Sequence, residues 1–498
     1  MTTARRIIFG LLLAAGLARM AAFLAYAAST LPSPLETFHL EAKMVLLAYR
    51  AEIGASLYPA WRDGPHVANF FGPAYFWGVG KLGAIGGAGF DGLFAIGRGV
   101  SFGSALLTSL VVGVVAQRRY GRVAGASAAI LSLGSAAMFG FSVMVRPDLL
   151  AECLGVVGFF LAGRRGSAGR WLGGGLLALA ILTKQTAGIF LLARALADLA
   201  EGDWRRGARL MAGTLGLTIA VVVVLTLSTE PLMARSLAGE SKTPWEFASW
   251  SRTLTRAART SPDLLVFPAI GLILWVSGAT GRREPDLAVL AAVLLATSIG
   301  LAAKRGADLN YYLSLRVVEG LAVGALWRGW SVARSPSRSA GLAALVALGT
   351  AALVPGLLHA ATEASVAKAK AAFLAGPYGR DVLGFYRDLD AKAAAPGSKI
   401  LTDSGLIDLH HGRLADFGDP WLFRVLAQTG QVDPKVMRDR VDSRYYDLIV
   451  TTSELDRPGY DSYEFGLPMA VVERARARYE RIGDRAGLFL YRPRPRAR

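Results

Sequence analysis

The chain has 498 residues, 53% of them hydrophobic and 18% charged, with a formal net charge of +18. That balance excludes an ordinary soluble protein, because apolar runs of helix-spanning length recur from Ile7 to about His359. The positive charge lies largely in short loops between those runs, so membrane topology accounts for it and no nucleic-acid partner is expected.

Inside a bilayer each segment must satisfy its own backbone, so the apolar runs are expected to be helices. The 57 glycines suit close helix contact in lipid. Arg5 and Arg6 precede the first run, 7–28. Ala25-Tyr26-Ala27 mimics a signal cleavage site, but the length of the run favours an uncleaved helix. Either way the chain beyond Ala28 lies outside the cytoplasm. Residues 66–86 are aromatic, Gly-rich and interrupted by Pro73. They read as an interfacial helix, since a span there would put Arg118, Arg119 and Arg122 outside.

The runs 93–116, 123–142, 149–163, 171–183, 187–200, 208–228, 263–279, 286–302, 311–327 and 340–358 then alternate in direction. With the first run they make eleven spans, and every short Arg-rich loop is cytoplasmic. A single helix across 171–200, instead of two split at Lys184-Gln185, would invert everything after it. The loop 229–262 carries Arg252, Arg256 and Arg259 on one helical face behind Trp245, Phe247 and Trp250. An interfacial amphipathic helix and a solvated loop both fit it.

Beyond about residue 360 the composition turns soluble. Strand-like runs at 399–402, 446–451 and 487–491 alternate with helical stretches at 421–428 and 469–479. The expected fold is therefore an all-α polytopic membrane domain, 1–360, of about eleven transmembrane helices plus interfacial helices. A small α/β extracytoplasmic domain follows over 361–498, ending in a basic, Pro-rich unstructured tail from Arg492. Cys153, the only cysteine, excludes an intramolecular disulfide and reads as a small core residue.

With this topology the ionisable residues at outer helix ends form one set. They are Glu36, His39 and Glu41, then Arg146 and Asp148, then Lys184, then Lys304, Arg305 and Asp308. Charge at a membrane end is costly, which makes such residues functional candidates. Carboxylates can deprotonate an acceptor hydroxyl or amine, and cations can neutralise a leaving phosphate. A sugar on a lipid phosphate needs both, and its tail needs a membrane groove. Plainer roles exist for each: Asp148 at a helix N-terminus, Lys184 and Lys304 reaching to the interface, Glu36 and Glu41 solvated, His39 structural. On a helix Glu36 and His39 share a face, with Glu41 turned away by about 140°. No Walker A lysine, HExxH, GxSxG or strand-linked GxGxxG is present, and His410-His411 is a weak metal signal.

An acidic first outer loop is followed by Leu57-Tyr58-Pro59, then Phe71-Gly72-Pro73-Ala74-Tyr75, Arg146-Pro147-Asp148, Leu182-Thr183-Lys184-Gln185 and the stretch from Lys304 to Tyr311. In these motifs and their order the chain resembles the GT-C superfamily of membrane glycosyltransferases. It is similar to glycosyltransferase family 39, which includes protein O-mannosyltransferases and lipid A aminoarabinose transferases. The resemblance covers roughly residues 1–360. It implies a polyprenyl-phosphate-linked sugar donor, a lipid, glycan or protein acceptor, and an inverting single displacement in a bacterial-type cytoplasmic membrane. It implies Glu41 as base, with Glu36 the alternative, and Arg146, Lys304 and Arg305 on the donor phosphate. His39, Asp148, Lys184, Gln185, Asp308, Asn310 and Tyr311 would line the substrate pocket. The chain lacks the adjacent Asp-Glu pair common in that loop, so the base and any divalent metal stay open; no other cofactor is implied.

A second reading is a transporter or flippase for lipid-linked sugars, and a third is a non-catalytic scaffold. The transporter reading rests on Arg19, Arg98, Arg194 and Arg316 inside apolar runs, although Arg194 and Asp198 are spaced to pair.

Overall fold

The apolar runs fold as helices in the computed structural model. It describes residues 3–495 except 34, 37–40, 60–68, 136, 165, 240–242, 334, 378, 381–383, 386–387, 390–398, 405–406, 408–419, 429, 431, 459–465 and 486. α1 (Thr3–Thr30) is followed by the short α2 (Glu41–Glu52) and α3 (Ala74–Gly86). Then come α4 (Gly89–Tyr120), α5 (Arg122–Leu133), the single turn α6 (Met138–Phe141), α7 (Asp148–Ala162), α8 (Ser167–Thr183), α9 (Gly188–Ala200) and α10 (Trp204–Ser228). α11 (Met233–Gly239) and α12 (Phe247–Thr260) lead to α13 (Asp263–Ser277), α14 (Pro285–Leu301), α15 (Leu315–Val332) and α16 (Pro336–Ala375).

The protein is an integral membrane protein. Among the described residues, four stretches are long and apolar enough to cross a membrane alone: Phe9–Thr30, Gly89–Tyr120, Trp204–Ser228 and Ser339–Ala375. The other apolar helices are shorter, and α12 and α13 meet at an 84° bend. α3, with 13 residues, is about 20 Å long, well under a hydrocarbon thickness of about 30 Å.

Polar contacts give the helix directions. At one end Arg119, late in α4, meets Asp286 at the start of α14 at 2.5 Å. Arg206 in α10 reaches Asp198 in α9 at 3.4 Å and donates to the carbonyl of Ala162, the last residue of α7, at 2.8 Å. At the other end Asp148, the first residue of α7, meets Lys184 just past α8 at 2.6 Å. α7, α8, α9 and α10 therefore run alternately between the two ends. Lys184 itself is extended and a 3-10 turn over Gln185–Ala187 reverses the chain. The split at Lys184-Gln185 is thus a true break between two helices.

The arginines in apolar runs are neutralised in place. Arg19 lies 2.9 Å from Asp263, Arg98 2.7 Å from Glu41, Arg194 2.6 Å from Asp198, and Arg316 2.9 Å from Glu152, all buried. In a low-dielectric bundle an unpaired guanidinium is not sustainable, so each helix that carries one must face a carboxylate.

The C-terminal region forms a four-stranded sheet from β1 (Ile400–Thr402), β2 (Leu448–Thr451), β3 (Tyr479–Arg485) and β4 (Leu488–Pro493), in the order β1-β2-β4-β3. β1 and β2 are parallel and the other pairings antiparallel. α17 (Pro420–Gln428), α18 (Lys435–Asp442) and α19 (Met469–Arg478) accompany it. Two expectations need correction. The helix expected through Tyr479 ends at Arg478, and Tyr479 opens β3, an edge strand whose charged residues gave no strand signal. Arg492 belongs to β4 and pairs with Glu480 at 2.8 Å, so the ordered chain extends into what read as tail. α16 also continues unbroken across residue 360 to Ala375.

Candidate active site

At the Lys184 end of the bundle, several segments distant in sequence meet. Asp148 opens α7 behind Pro147 and is buried. Its Oδ2 accepts from Arg146 Nε at 3.0 Å, and its Oδ1 accepts from Lys184 Nζ at 2.6 Å and Asn310 Nδ2 at 3.2 Å. One carboxylate thus fixes two cations and an amide, each from a different segment. Charge-assisted bonds of this kind are the strong ones.

Above this clamp lies an open cleft of about 120 Å³. Among the described residues Lys43, Arg146, Lys184, Lys304 and Arg305 line it, and no carboxylate does. Phe70, Phe71, Tyr311 and Trp421 supply aromatic walls. Lys184 Nζ stands 5.5 Å from the centre of the Tyr311 ring, within cation–π range. Several cations facing one concavity with low-dielectric walls create a field that favours an anion.

The aromatic-proline segment is clamped from several sides. Tyr58 Oη donates to the Phe71 carbonyl at 2.7 Å, and Gln185 Nε2 donates to the Phe70 carbonyl at 2.7 Å. The carboxylate of Glu230 accepts from the amides of Leu57 at 2.8 Å and Tyr58 at 3.3 Å. Gly72 passes so near α8 that a Cβ there would sit 1.8 Å from the Leu182 carbonyl oxygen. Gly306 has a φ of +76°, and a Cβ on it would lie 2.4 Å from the Trp421 indole. These contacts bring the soluble domain onto the cleft, and Phe70 packs into that domain's core.

The two acidic candidates sit differently. Glu41, at the start of α2, is fully buried. Its oxygens accept from Arg98 at 2.7 and 2.9 Å and from the Val145 amide at 3.0 Å. Glu36 lies on the loop before α2, where its Oε2 accepts from the Ala42 amide at 3.2 Å. Burial, with a smaller push from the Glu41 charge, raises the Glu36 carboxyl to about 7. Neither lines the cleft among the described residues.

Among the other candidates, Lys304, Arg305, Asn310 and Tyr311 all line the cleft. Arg305 also reaches Glu246 at 3.5 Å. Asp308 accepts from the Leu309 amide and pairs with Arg256, both at 2.7 Å, which ties α12 to this loop. His39 and His410-His411 lie outside the described residues. Sequence reasoning passed over Lys43, two residues past Glu41 in the same loop motif, and Trp421, which read only as a helix start. No group of three His, Cys, Asp or Glu side chains suited to a metal gathers among the described residues.

No protein-family model and no curated protein matches the sequence. The fold nonetheless has solved counterparts, at low sequence identity. ArnT from Cupriavidus metallidurans in the apo state matches with a TM-score of 0.58 at 15% identity, over 95% of this chain and 96% of that one. The same protein bound to undecaprenyl phosphate matches equally, with a TM-score of 0.58 at 13% identity over 95% and 96%. The oligosaccharyltransferase of Archaeoglobus fulgidus in the apo form matches with a TM-score of 0.56 at 14% identity, over 96% of this chain and 73% of that one.

Proposed function

We propose that the protein is a membrane glycosyltransferase that moves a sugar from a polyprenyl-phosphate carrier to an acceptor at the outer face of the cytoplasmic membrane. The observation that carries this reading is the cleft lined, among the described residues, by five cations and no carboxylate. A phosphate bound there is the leaving group of the reaction. The acceptor oxygen or nitrogen attacks the anomeric carbon, the bond from that carbon to the phosphate oxygen breaks, and the electron pair stays on the phosphate. Lys43, Arg146, Lys184, Lys304 and Arg305 neutralise it as charge develops. One displacement inverts the anomeric centre. Asp148 positions Arg146 and Lys184, while Asn310 and Tyr311, beside Lys184, face the sugar.

The acceptor's proton goes to a carboxylate of the first loop. Glu36 suits that task better than Glu41: a general base works best with a pKa near the working pH, and Glu41 is held on both oxygens by Arg98. Two structural neighbours support the donor class, since ArnT was solved bound to undecaprenyl phosphate and AglB, the Archaeoglobus fulgidus oligosaccharyltransferase, in complex with a dolichol-phosphate. AglB is also described in complex with an inhibitory peptide. Peptide, glycan and lipid acceptors are the candidates here.

In this reading α1, α4, α5, α7–α10 and α13–α16 make eleven crossings, with the N-terminus cytoplasmic and the 361–498 domain outside. The ion-paired state of Arg19, Arg98, Arg194 and Arg316 removes the main support for a transporter, because each has a structural partner. The test uses purified full-length protein, a panel of polyprenyl-phosphate sugars and undecaprenyl phosphate as binding probe. Binding of the probe and transfer are both expected to fall by about 10²-fold in Lys304→Ala and in Arg146→Ala. A wild-type protein that binds no polyprenyl phosphate, or binds it equally well without these cations, would overturn the reading.

A further inference from the structure

A second concavity lies at the opposite end of the bundle. α8 and α10 pack side by side, and their N-terminal halves leave an apolar groove of about 600 Å³ on the lipid-facing flank. It is about 20 Å along α8 from Lys184, counting from Arg170 to the helix end. Gly174, Gly175, Gly213 and Leu217 line it. A Cβ at Gly175 or Gly213 would meet nothing within 4 Å, so these glycines widen the groove instead of drawing helices together.

Arg170 and Arg209 line its mouth, and no carboxylate does among the described residues. Neither arginine has an ion pair or side-chain hydrogen bond among the described residues, and Arg170 Nε is buried without a partner. Two nearby arginines are ion-paired instead: Arg194 holds Asp198 and Glu201, and Arg206 holds Asp198 and two backbone carbonyls. Trp171, 78% exposed beside Arg170, is placed as an interfacial anchor.

Two unpaired guanidinium groups over an apolar channel open to hydrocarbon match a phosphodiester that carries acyl chains. A basic pocket between helices on the side of the Arg-rich loops is the pattern by which anionic headgroups are held. We propose that this groove binds an anionic diacyl phospholipid such as phosphatidylglycerol, with its phosphate on Arg170 and Arg209 and an acyl chain along Gly174, Gly213 and Leu217. The site is independent of the catalytic reading, since it shares no residue with the cleft.

The test measures phosphatidylglycerol retained by the purified full chain in phosphatidylcholine nanodiscs, by native mass spectrometry across a titration. Wild type holds one phosphatidylglycerol, and Arg170→Ala/Arg209→Ala weakens it by about thirty-fold, two surface arginines' worth. Gly213→Leu fills the channel where no atom stands in its way, and it loses the lipid with both arginines intact. Arg170→Lys/Arg209→Lys keeps the charge and retains most of the binding. Melting temperatures in pure phosphatidylcholine stay at the wild-type value for the arginine variants. Equal retention by wild type and the double alanine variant overturns the proposal. So does displacement of the phospholipid by an equal concentration of undecaprenyl phosphate, which would assign the groove to an isoprenoid chain.

Discussion

Arg98 decides what Glu41 can do. The guanidinium lies within α4, and besides Glu41 it donates to the carbonyls of Leu31, Ser33 and Leu35. For Glu41 to take a proton in catalysis it would have to release a buried cation. Removing either partner strands the other, so Glu41→Gln and Arg98→Ala should each cost about 3–5 kcal/mol of stability, read as a large drop in melting temperature. Glu36 should behave in the opposite way. Its folded carboxyl sits near 7, above the ordinary 4.5, so it contributes stability that is full below about 4.5 and lost as pH rises through about 7. Glu36→Gln, which mimics the protonated carboxyl, should therefore melt near wild type at pH 4.5 and above it at pH 8, where the wild-type carboxylate is buried with its charge. Activity has the reverse sign, because the base must be ionised. The wild-type log kcat/KM should climb with pH through about 7, and Glu36→Gln should lower kcat by about 10²–10⁴-fold. Full activity with an unchanged acidic limb in Glu36→Gln would move the base elsewhere.

At the scale of elements, the junction between the loop 304–311 and α17 controls the roof of the cleft. Gly306→Ala would place a methyl 2.4 Å from a rigid indole at a left-handed φ, so loop or helix must move. The cost should be about 2–4 kcal/mol from overpacking and backbone strain together, with a raised KM for the donor. Trp421→Ala should remove the overpacking share, so that Gly306→Ala costs about 1 kcal/mol in that background, a coupling a double-mutant cycle measures. Equal costs in both backgrounds would show that the contact does not shape the cleft. The sequence revealed the loop half of this junction, because Gly, Pro and charge at the ends of apolar runs mark turns that helices cannot continue. It also revealed the break after Thr183, for the same reason. Trp421 was invisible as a cleft residue: its role depends on a packing of the soluble domain that no local period encodes. β3 escaped because its register with β4, not its own polar residues, makes it a strand. The partner of Glu41 was readable in principle, since a lone arginine in an apolar helix demands a carboxylate, but the sequence offers several.

For the whole molecule, the decisive property is that its two ends differ in kind. The loops with Arg118, Arg119, Arg164, Arg205, Arg206, Arg209, Arg282 and Arg283 gather at one end, and the cation-lined cleft and the sheet domain at the other. A lipid-linked donor requires cleft and acceptor on one side of the membrane, so the reading stands on topology as much as on chemistry. Between Arg283 and Lys435 the chain passes through α14, α15 and α16, three crossings in the proposed arrangement. An odd number puts the two positions on opposite sides. Cys153, the only cysteine, is buried and can be replaced by Ala to give a cysteine-free background. Both test positions are exposed, Lys435 by 64% at its side chain. In intact cells a membrane-impermeant maleimide should label Lys435→Cys and leave Arg283→Cys untouched until the membrane is opened. Labelling of both from outside would make one of the three helices fail to cross. Labelling of Arg283→Cys alone would invert the molecule, putting the cleft in the cytoplasm and ending the case for an outer-face transferase.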